Sequence, residues 1–225
     1  MKNEKVKQLV VMAMLAALAY VLMVLIRIPV VSFLKYEPKD VIITIGGFIY
    51  GPLTTFLISF VVSLIEMITV SDTGPIGAVM NLISTCSFAC TAAFVYWKIP
   101  RLKHKLKGAI IGLVLGVIVM IGVMMLWNYF LTPIYMGYPR EAVAAMLPTV
   151  FLPFNALKGG LNAAITMLLY KPVVLTLRKA HLVPESYGAP RTTGKKVGTT
   201  IGVVVSASAV LITCIVLILV LRGII

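Results

Sequence analysis

The sequence has few charged residues and few of the side chains that carry catalytic or metal chemistry. Charged residues make up 12% of the 225 positions, about half the share found in ordinary soluble domains. The 2 histidines lie in basic stretches, and the 3 cysteines lie within apolar stretches without the spacing of a zinc site. The sequence also lacks a P-loop, an HExxH motif and a Gly-x-Ser-x-Gly motif. These absences exclude an ordinary soluble globule and predict no catalytic site, metal or cofactor.

Hydrophobic residues make up 60% of the sequence and are grouped in long runs. Runs of about 20 apolar residues can cross a bilayer as helices, because a helix satisfies its own backbone groups. Breaks at proline, glycine and charged residues predict six core helices, at about 8–27, 40–50, 52–70, 76–97, 108–130 and 148–170. Asp40 is the expected N-cap of the second of these helices.

The chain is therefore predicted to be an all-α integral membrane protein in three parts. A six-helix membrane domain is expected over residues 1–180, followed by a cytoplasmic linker over 181–196. Residues 197–225 add a C-terminal segment whose uncharged run at 197–221 is long enough to form a seventh transmembrane helix.

The net charge of +13 is concentrated in a few segments. Fourteen of the 20 Lys and Arg residues lie at the N-terminus, at 98–107 and at 171–196. The positive-inside rule places these segments in the cytoplasm, so the connections at 30–39, 71–75 and 131–147 lie outside. We expect a multi-pass cell-membrane protein with a cytoplasmic N-terminus and no nucleic-acid partner, because membrane topology explains the basic charge.

Three polar residues lie on one face of the last core helix: Asn155, Lys158 and Asn162. An ionisable group in hydrocarbon costs at least about 2.5–3.5 kcal/mol on insertion scales, so Lys158 needs a polar partner or cavity. Counted from Pro148, Lys158 is on the order of 15 Å deep, too far to reach the interface easily. This face predicts the wall of a polar ligand pocket. The alternative is a packing cluster closed by Glu66.

Two further amides and a small-residue face are weaker candidates. Asn128 lies between Trp127 and Tyr129, an arrangement that fits either an interfacial aromatic belt or a site for a flat heterocycle. Asn81 is a polar residue of the fourth predicted helix, and Glu66 could be an ion-pair residue or a ligand contact. On the first helix, Ala13, Ala16 and Ala17 make a face that allows close approach of another helix, or simple internal packing.

Four motifs together resemble a known family: KYEPKDVIITIGGFIYGP at 35–52, TGP at 73–75, WNYF at 127–130 and FNALKGGLN at 154–162. Over about residues 5–180 the chain is similar to the riboflavin-specific substrate-binding (S) components of the energy-coupling factor vitamin transporters. The resemblance implies six helices with both ends cytoplasmic, in a bacterial plasma membrane. It also implies a vitamin site near the outer surface, beneath the loop after the first helix. This chain departs from the family pattern in continuing beyond the sixth helix.

The resemblance also assigns roles to individual residues. Asn128, Asn155 and Lys158 would hydrogen-bond riboflavin, the transported ligand, with flavin nucleotides as an open alternative. The remaining ligand-site candidates are Tyr36, Glu37, Asp40, Thr73, Gly74 and Asn81. Ala13 and Ala17 would dock on a transmembrane coupling subunit that carries two ATPase subunits, which fits the missing P-loop.

Other functions are consistent with parts of the sequence. A sister component for another vitamin, such as thiamine, would share the fold and differ in the pocket. An integral-membrane enzyme acting on lipid head groups would need a nucleophile or an acid–base pair near the interface, and none is visible. A structural or assembly protein of the membrane would not need the polar face around Lys158.

Overall fold

The computed structural model describes residues 2–31, 34–71, 73–183, 197–222 and 224. These residues form helices and a single two-stranded hairpin. In chain order the elements are α1 (Lys2–Leu25), β1 (Ile28–Val31), β2 (Leu34–Tyr36), α2 (Lys39–Tyr50), α3 (Pro52–Thr69), α4 (Gly74–Thr85), a π-helical turn (Cys86–Cys90), α5 (Thr91–Lys98), α6 (Leu106–Met136), α7 (Arg140–Met146), a second π-helical turn (Leu147–Phe151), α8 (Leu152–Lys179) and α9 (Val197–Leu221).

Six helical stretches are long and apolar enough to cross a membrane: Glu4–Leu25, Pro52–Thr69, Gly74–Lys98, Leu106–Met136, Arg140–Lys179 and Ile201–Val220. The first five belong to the predicted six-helix core, and the last is the predicted C-terminal helix. The remaining core helix, α2, has 12 residues, or about 18 Å of length at 1.5 Å per residue. It is too short to span a hydrocarbon core of about 30 Å.

α2 is enclosed by the other core helices. Lys39 to Ile49 are all buried. From Val41 onward the helix is apolar on every side apart from Thr44, as expected of an enclosed helix. A Cβ atom on Gly47 would lie 2.1 Å from Thr55 Oγ1 and 3.0 Å from Ala93 Cβ, so only glycine allows α3 and α5 to pack this closely. The Trp97 indole N–H donates to the carbonyl oxygens of Gly47 and Phe48, each at 3.1 Å. It thereby satisfies carbonyls at the end of α2.

The structure corrects two local predictions. The connection predicted at 131–147 is mostly helical, because α6 continues through Pro133 to Met136 and α7 begins at Arg140. Membrane helices tolerate proline when neighbouring groups satisfy the freed backbone. Asp40 does not cap α2, since Pro38 occupies that position. The Asp40 carboxylate is instead bound by side chains of other helices, as described below.

The loop predicted after the first helix contains the β1–β2 hairpin. Its strands pair antiparallel, with Ile28 opposite Tyr36 and Val31 opposite Leu34. Apolar residues of the hairpin, α8 and α9 form a common group, which we call the hairpin cluster. Its buried members are Val30, Tyr36, Phe154, Leu157, Leu161 and Ile218.

α9 runs antiparallel to α8. Cys214 lies against Gly160, whereas Ile218, one turn later, joins Leu157 and Phe154 nearer the start of α8. The C-terminal end of α9 is therefore at the hairpin end of the molecule. Of the linker predicted over 181–196, only 181–183 belong to the described residues.

The predicted topology can be tested at the end of α9. If α9 crosses the membrane and the hairpin lies outside, a cysteine replacing the exposed Ile224 should react with a membrane-impermeant thiol reagent in intact cells. The unmodified chain, which has three cysteines of its own, gives the background. Labelling of the Ile224→Cys variant only after cell lysis would show that the C-terminus is cytoplasmic.

Candidate functional site

A cavity of about 490 Å³ lies beneath the hairpin. This volume falls in the range of about 300–1,000 Å³ that is typical of small-molecule sites. Residues from the hairpin, the α3–α4 turn and helices α3, α4, α6 and α8 line it. The polar part of the wall includes Glu37, Glu66, Asn81, Asn128, Asn155 and Lys158. The apolar part includes Met80, Met124, Phe151 and Phe154.

Lys158 faces this cavity and is paired with a buried carboxylate. Its Nζ atom lies 3.5 Å from Asp40 Oδ2 and donates to Ser84 Oγ at 3.2 Å. Asp40 is fully buried and also accepts hydrogen bonds from Thr85 Oγ1 at 2.6 Å and from Asn162 Nδ2 at 3.0 Å. The partner of Lys158 is thus Asp40, and not Glu66 as the packing alternative supposed.

Tyr36 supports this network from the hairpin. Its hydroxyl donates to Asn162 Oδ1 at 3.0 Å, and the Asn162 amide donates in turn to Asp40. Burial, together with the nearby Asp40 carboxylate, raises the pKa of the Tyr36 phenol well above its usual range. The hydroxyl therefore stays protonated and remains a donor at physiological pH. Tyr36 and Asp40 do not line the cavity. They lie behind its wall, where Asp40 pairs with the lining residue Lys158 and Tyr36 bonds Asn162.

A second set of charges lies at the side of the cavity formed by α3. Lys39, of which only 1% is exposed, pairs with the carboxylate of Glu66 and lies 3.2 Å from Glu37 Oε2. Arg27 Nε lies 3.1 Å from Glu37 Oε1, and Asn81 Nδ2 donates to Glu66 Oε1 at 2.7 Å. Each carboxylate of this set thus has at least one cation beside it.

Asn128 and Asn155 are each oriented by the backbone carbonyl of the residue four positions earlier in the chain. Asn128 Nδ2 donates to the carbonyl of Met124 at 2.7 Å, and Asn155 Nδ2 donates to the carbonyl of Phe151 at 2.8 Å. Thr132 Oγ1 also donates to Asn128 Oδ1 at 3.2 Å. A side-chain amide has two N–H donors and two acceptor lone pairs. Both residues therefore keep hydrogen-bonding capacity for a molecule in the cavity.

Most of the predicted ligand-site residues lie together. Those on the cavity wall are Glu37, Thr73, Asn81, Asn128, Asn155 and Lys158. Gly74 is adjacent to Thr73 but does not line the cavity, and its positive φ of 57° gives it a backbone role at the start of α4. Sequence reasoning missed Arg27, Ser84 and Lys39. Lys39 resembled an exposed loop charge, and its only signal was its position beside Asp40, directly before an apolar run.

The exposed alanines of α1 lie away from this site. Ala13 and Ala17 are exposed, whereas Ala16 and Ala19 are buried against the rest of the core. The internal packing of α1 therefore uses a different face from the one that carries Ala13 and Ala17.

Comparison with known proteins identifies the family. Residues 7–170 match the family described as ECF transporter, substrate-specific component. The chain belongs to this family. It is 32% identical over 193 residues to the riboflavin transporter FmnP of Bacillus subtilis (strain 168), covering 79% of this chain and 99% of that protein. It is 30% identical over 183 residues to the riboflavin transporter RibU of Staphylococcus aureus (strain TCH60), covering 77% and 93% respectively.

A solved S component of a bacterial ECF transporter has the same fold. The similarity has a TM-score of 0.64 at 29% sequence identity, and it covers 77% of this chain and 99% of the solved chain. The predicted family and the all-α membrane fold are confirmed. As an ECF S component, the chain is a non-catalytic, multi-pass component of a transporter, and the comparisons give no support to a lipid-head-group enzyme.

Proposed function

We propose that this chain captures riboflavin at the outer surface and delivers it inward when docked on an ATP-driven coupling module. The observation that carries the proposal is the cavity beneath the hairpin, where three asparagines and Lys158 share a wall with methionine and phenylalanine side chains. The names of the relatives, both riboflavin transporters that match at 30% identity or more, support the same ligand.

The chemistry of the cavity suits a flavin. Riboflavin has a flat tricyclic ring with polar atoms along one edge, and a flexible chain of hydroxyl groups. Met80, Met124, Phe151 and Phe154 can contact the faces of the ring. The remaining donors and acceptors of the amides, and the charged side chains of the wall, can hydrogen-bond the ring edge and the hydroxyls.

The charges around the cavity favour an uncharged ligand over a cationic one. Lys158 is paired with Asp40, and Glu66 is paired with Lys39. Glu37 is flanked by Arg27 as well as Lys39. Because these carboxylates are already compensated, none is free to pair with the positive charge of thiamine. This balance supports riboflavin, which is neutral, over thiamine.

The exposed face of α1 supports docking on a membrane partner. Small side chains let the backbone of another helix approach closely, and in lipid such packing drives helix association. Ala13 and Ala17 supply this kind of surface on a helix whose other face is occupied by the core. We assign this surface to the transmembrane coupling subunit. Two ATPase subunits on that partner would supply ATP hydrolysis. We also place the N-terminus of the chain in the cytoplasm.

Lys158→Ala tests the ligand site. Loss of a hydrogen bond to a charged group costs about 1.5–3 kcal/mol, so riboflavin affinity should fall by about tenfold or more. Affinity is measured on the purified chain by quenching of flavin fluorescence, with excess thiamine as a competitor. Thiamine should not displace riboflavin from the unmodified chain.

Lys171→Ala is the matched control, because Lys171 is an exposed lysine of the same helix, away from the cavity. It should bind riboflavin normally. Normal binding by Lys158→Ala would show that Lys158 only packs the core. Displacement of riboflavin by thiamine, or no riboflavin binding by the unmodified chain, would contradict the proposed ligand.

Leucine at both Ala13 and Ala17 tests the docking surface. The added volume should hold the partner helix away, so that cellular riboflavin uptake falls severalfold while binding to the isolated chain is unchanged. Ala142→Leu with Ala145→Leu is a matched control, since both are exposed alanines of α7. If binding and uptake are lost together, Ala13 and Ala17 belong to the internal packing and the assignment is wrong.

A further inference from the structure

α9 lies outside the part of the chain that matches the family. The match ends at residue 170, and α9 begins at Val197. The helix nevertheless packs along α8, which carries Asn155, Lys158 and Asn162. A Cβ atom added to Gly160 of α8 would lie 3.1 Å from Cys214 Sγ and 3.9 Å from Val210 Cγ1. The missing side chain at Gly160 therefore lets α9 approach the helix that forms one wall of the cavity.

The contact extends from α8 to the hairpin. Ile218 of α9 is only 8% exposed and belongs to the hairpin cluster with Val30 and Tyr36. Ile212 of the same helix, about 120° around the axis from Ile218, is 61% exposed. α9 therefore has one face toward α8 and the hairpin and another toward the surroundings.

Tyr36 connects this apolar contact to the polar wall of the cavity. Its ring is in the hairpin cluster, and its hydroxyl donates to Asn162. Asn162 donates to the same Asp40 oxygen that lies beside Lys158 Nζ. Tyr36 is thus linked through Asn162 to the carboxylate that pairs with Lys158.

We propose that α9 is a clamp that holds the hairpin closed on α8 through Ile218, and so slows escape of the ligand from the cavity. In this arrangement Ile218 is a positioning residue. It keeps the Tyr36 ring against α8, which keeps the Tyr36 hydroxyl on Asn162. The role in ligand escape rests on the proposed function, whereas the effect on hairpin closure does not.

Ile218→Ala in the full chain removes most of the clamp contact, and Ile212→Ala makes the same change on the exposed side of α9. Riboflavin release is followed by recovery of flavin fluorescence after dilution of the loaded protein. Ile218→Ala should speed release by about fivefold or more, whereas Ile212→Ala should leave the rate unchanged. Hydrogen exchange of the Ile28 and Tyr36 amides, measured without ligand, should accelerate only in Ile218→Ala.

Ile218→Val is a milder variant for the case in which Ile218→Ala does not fold, and its release rate should lie between those of Ile218→Ala and the unmodified chain. Unchanged release and exchange in the Ile218 variants would overturn the clamp. Equal acceleration in Ile212→Ala would also overturn it, because the effect would then belong to α9 as a whole. If the unmodified chain does not bind riboflavin, the proposed function fails, and the exchange measurement still decides whether α9 closes the hairpin.

Discussion

The buried carboxylate of Asp40 is the constraint on which the site depends. An unpaired charge in a protein interior is strongly unfavourable, so Asp40 is stable there only while its partners stay in place. Those partners come from two other helices: Thr85 of α4, and Lys158 and Asn162 of α8. One carboxylate on α2 thereby fixes how α4 and α8 are placed. The same carboxylate stabilises the Lys158 cation, which would otherwise be an unpaired charge in the cavity wall.

α2 can carry this charge because it is short and enclosed. Adjacent residues of a helix point about 100° apart, so Lys39 and Asp40 serve different neighbours. Lys39 pairs with Glu66 of α3, whereas Asp40 is bound by α4 and α8. The close packing at Gly47, and the indole of Trp97 on the carbonyls at the other end of α2, hold the helix in position. The charges around the cavity are therefore arranged by a helix that does not itself cross the membrane.

Sequence reasoning predicted the features that depend on local composition. The long apolar helices and α9 were found because hydropathy is a property of each segment alone, and Lys158 was conspicuous because its own helix is otherwise apolar. Lys39 and Asp40 were misjudged because two charges in front of an apolar run resemble the end of a loop. Their burial depends on Glu66 and Asn162, which are 27 and 122 residues away in the chain. The helical path through Pro133 was missed because proline indicates a break only where neighbouring residues do not support the helix.

The most direct test of this account replaces Asp40 with Asn, alone and together with Lys158→Met, and measures riboflavin affinity and thermal unfolding. Asp40→Asn keeps the side-chain shape and leaves Lys158 without its carboxylate. The account predicts a lower unfolding temperature and riboflavin affinity reduced by about tenfold or more, since a buried ion pair is broken. The double variant should recover much of the stability but not the affinity, because no unpaired charge remains and Lys158 is gone. Normal riboflavin affinity and stability in Asp40→Asn would contradict the account.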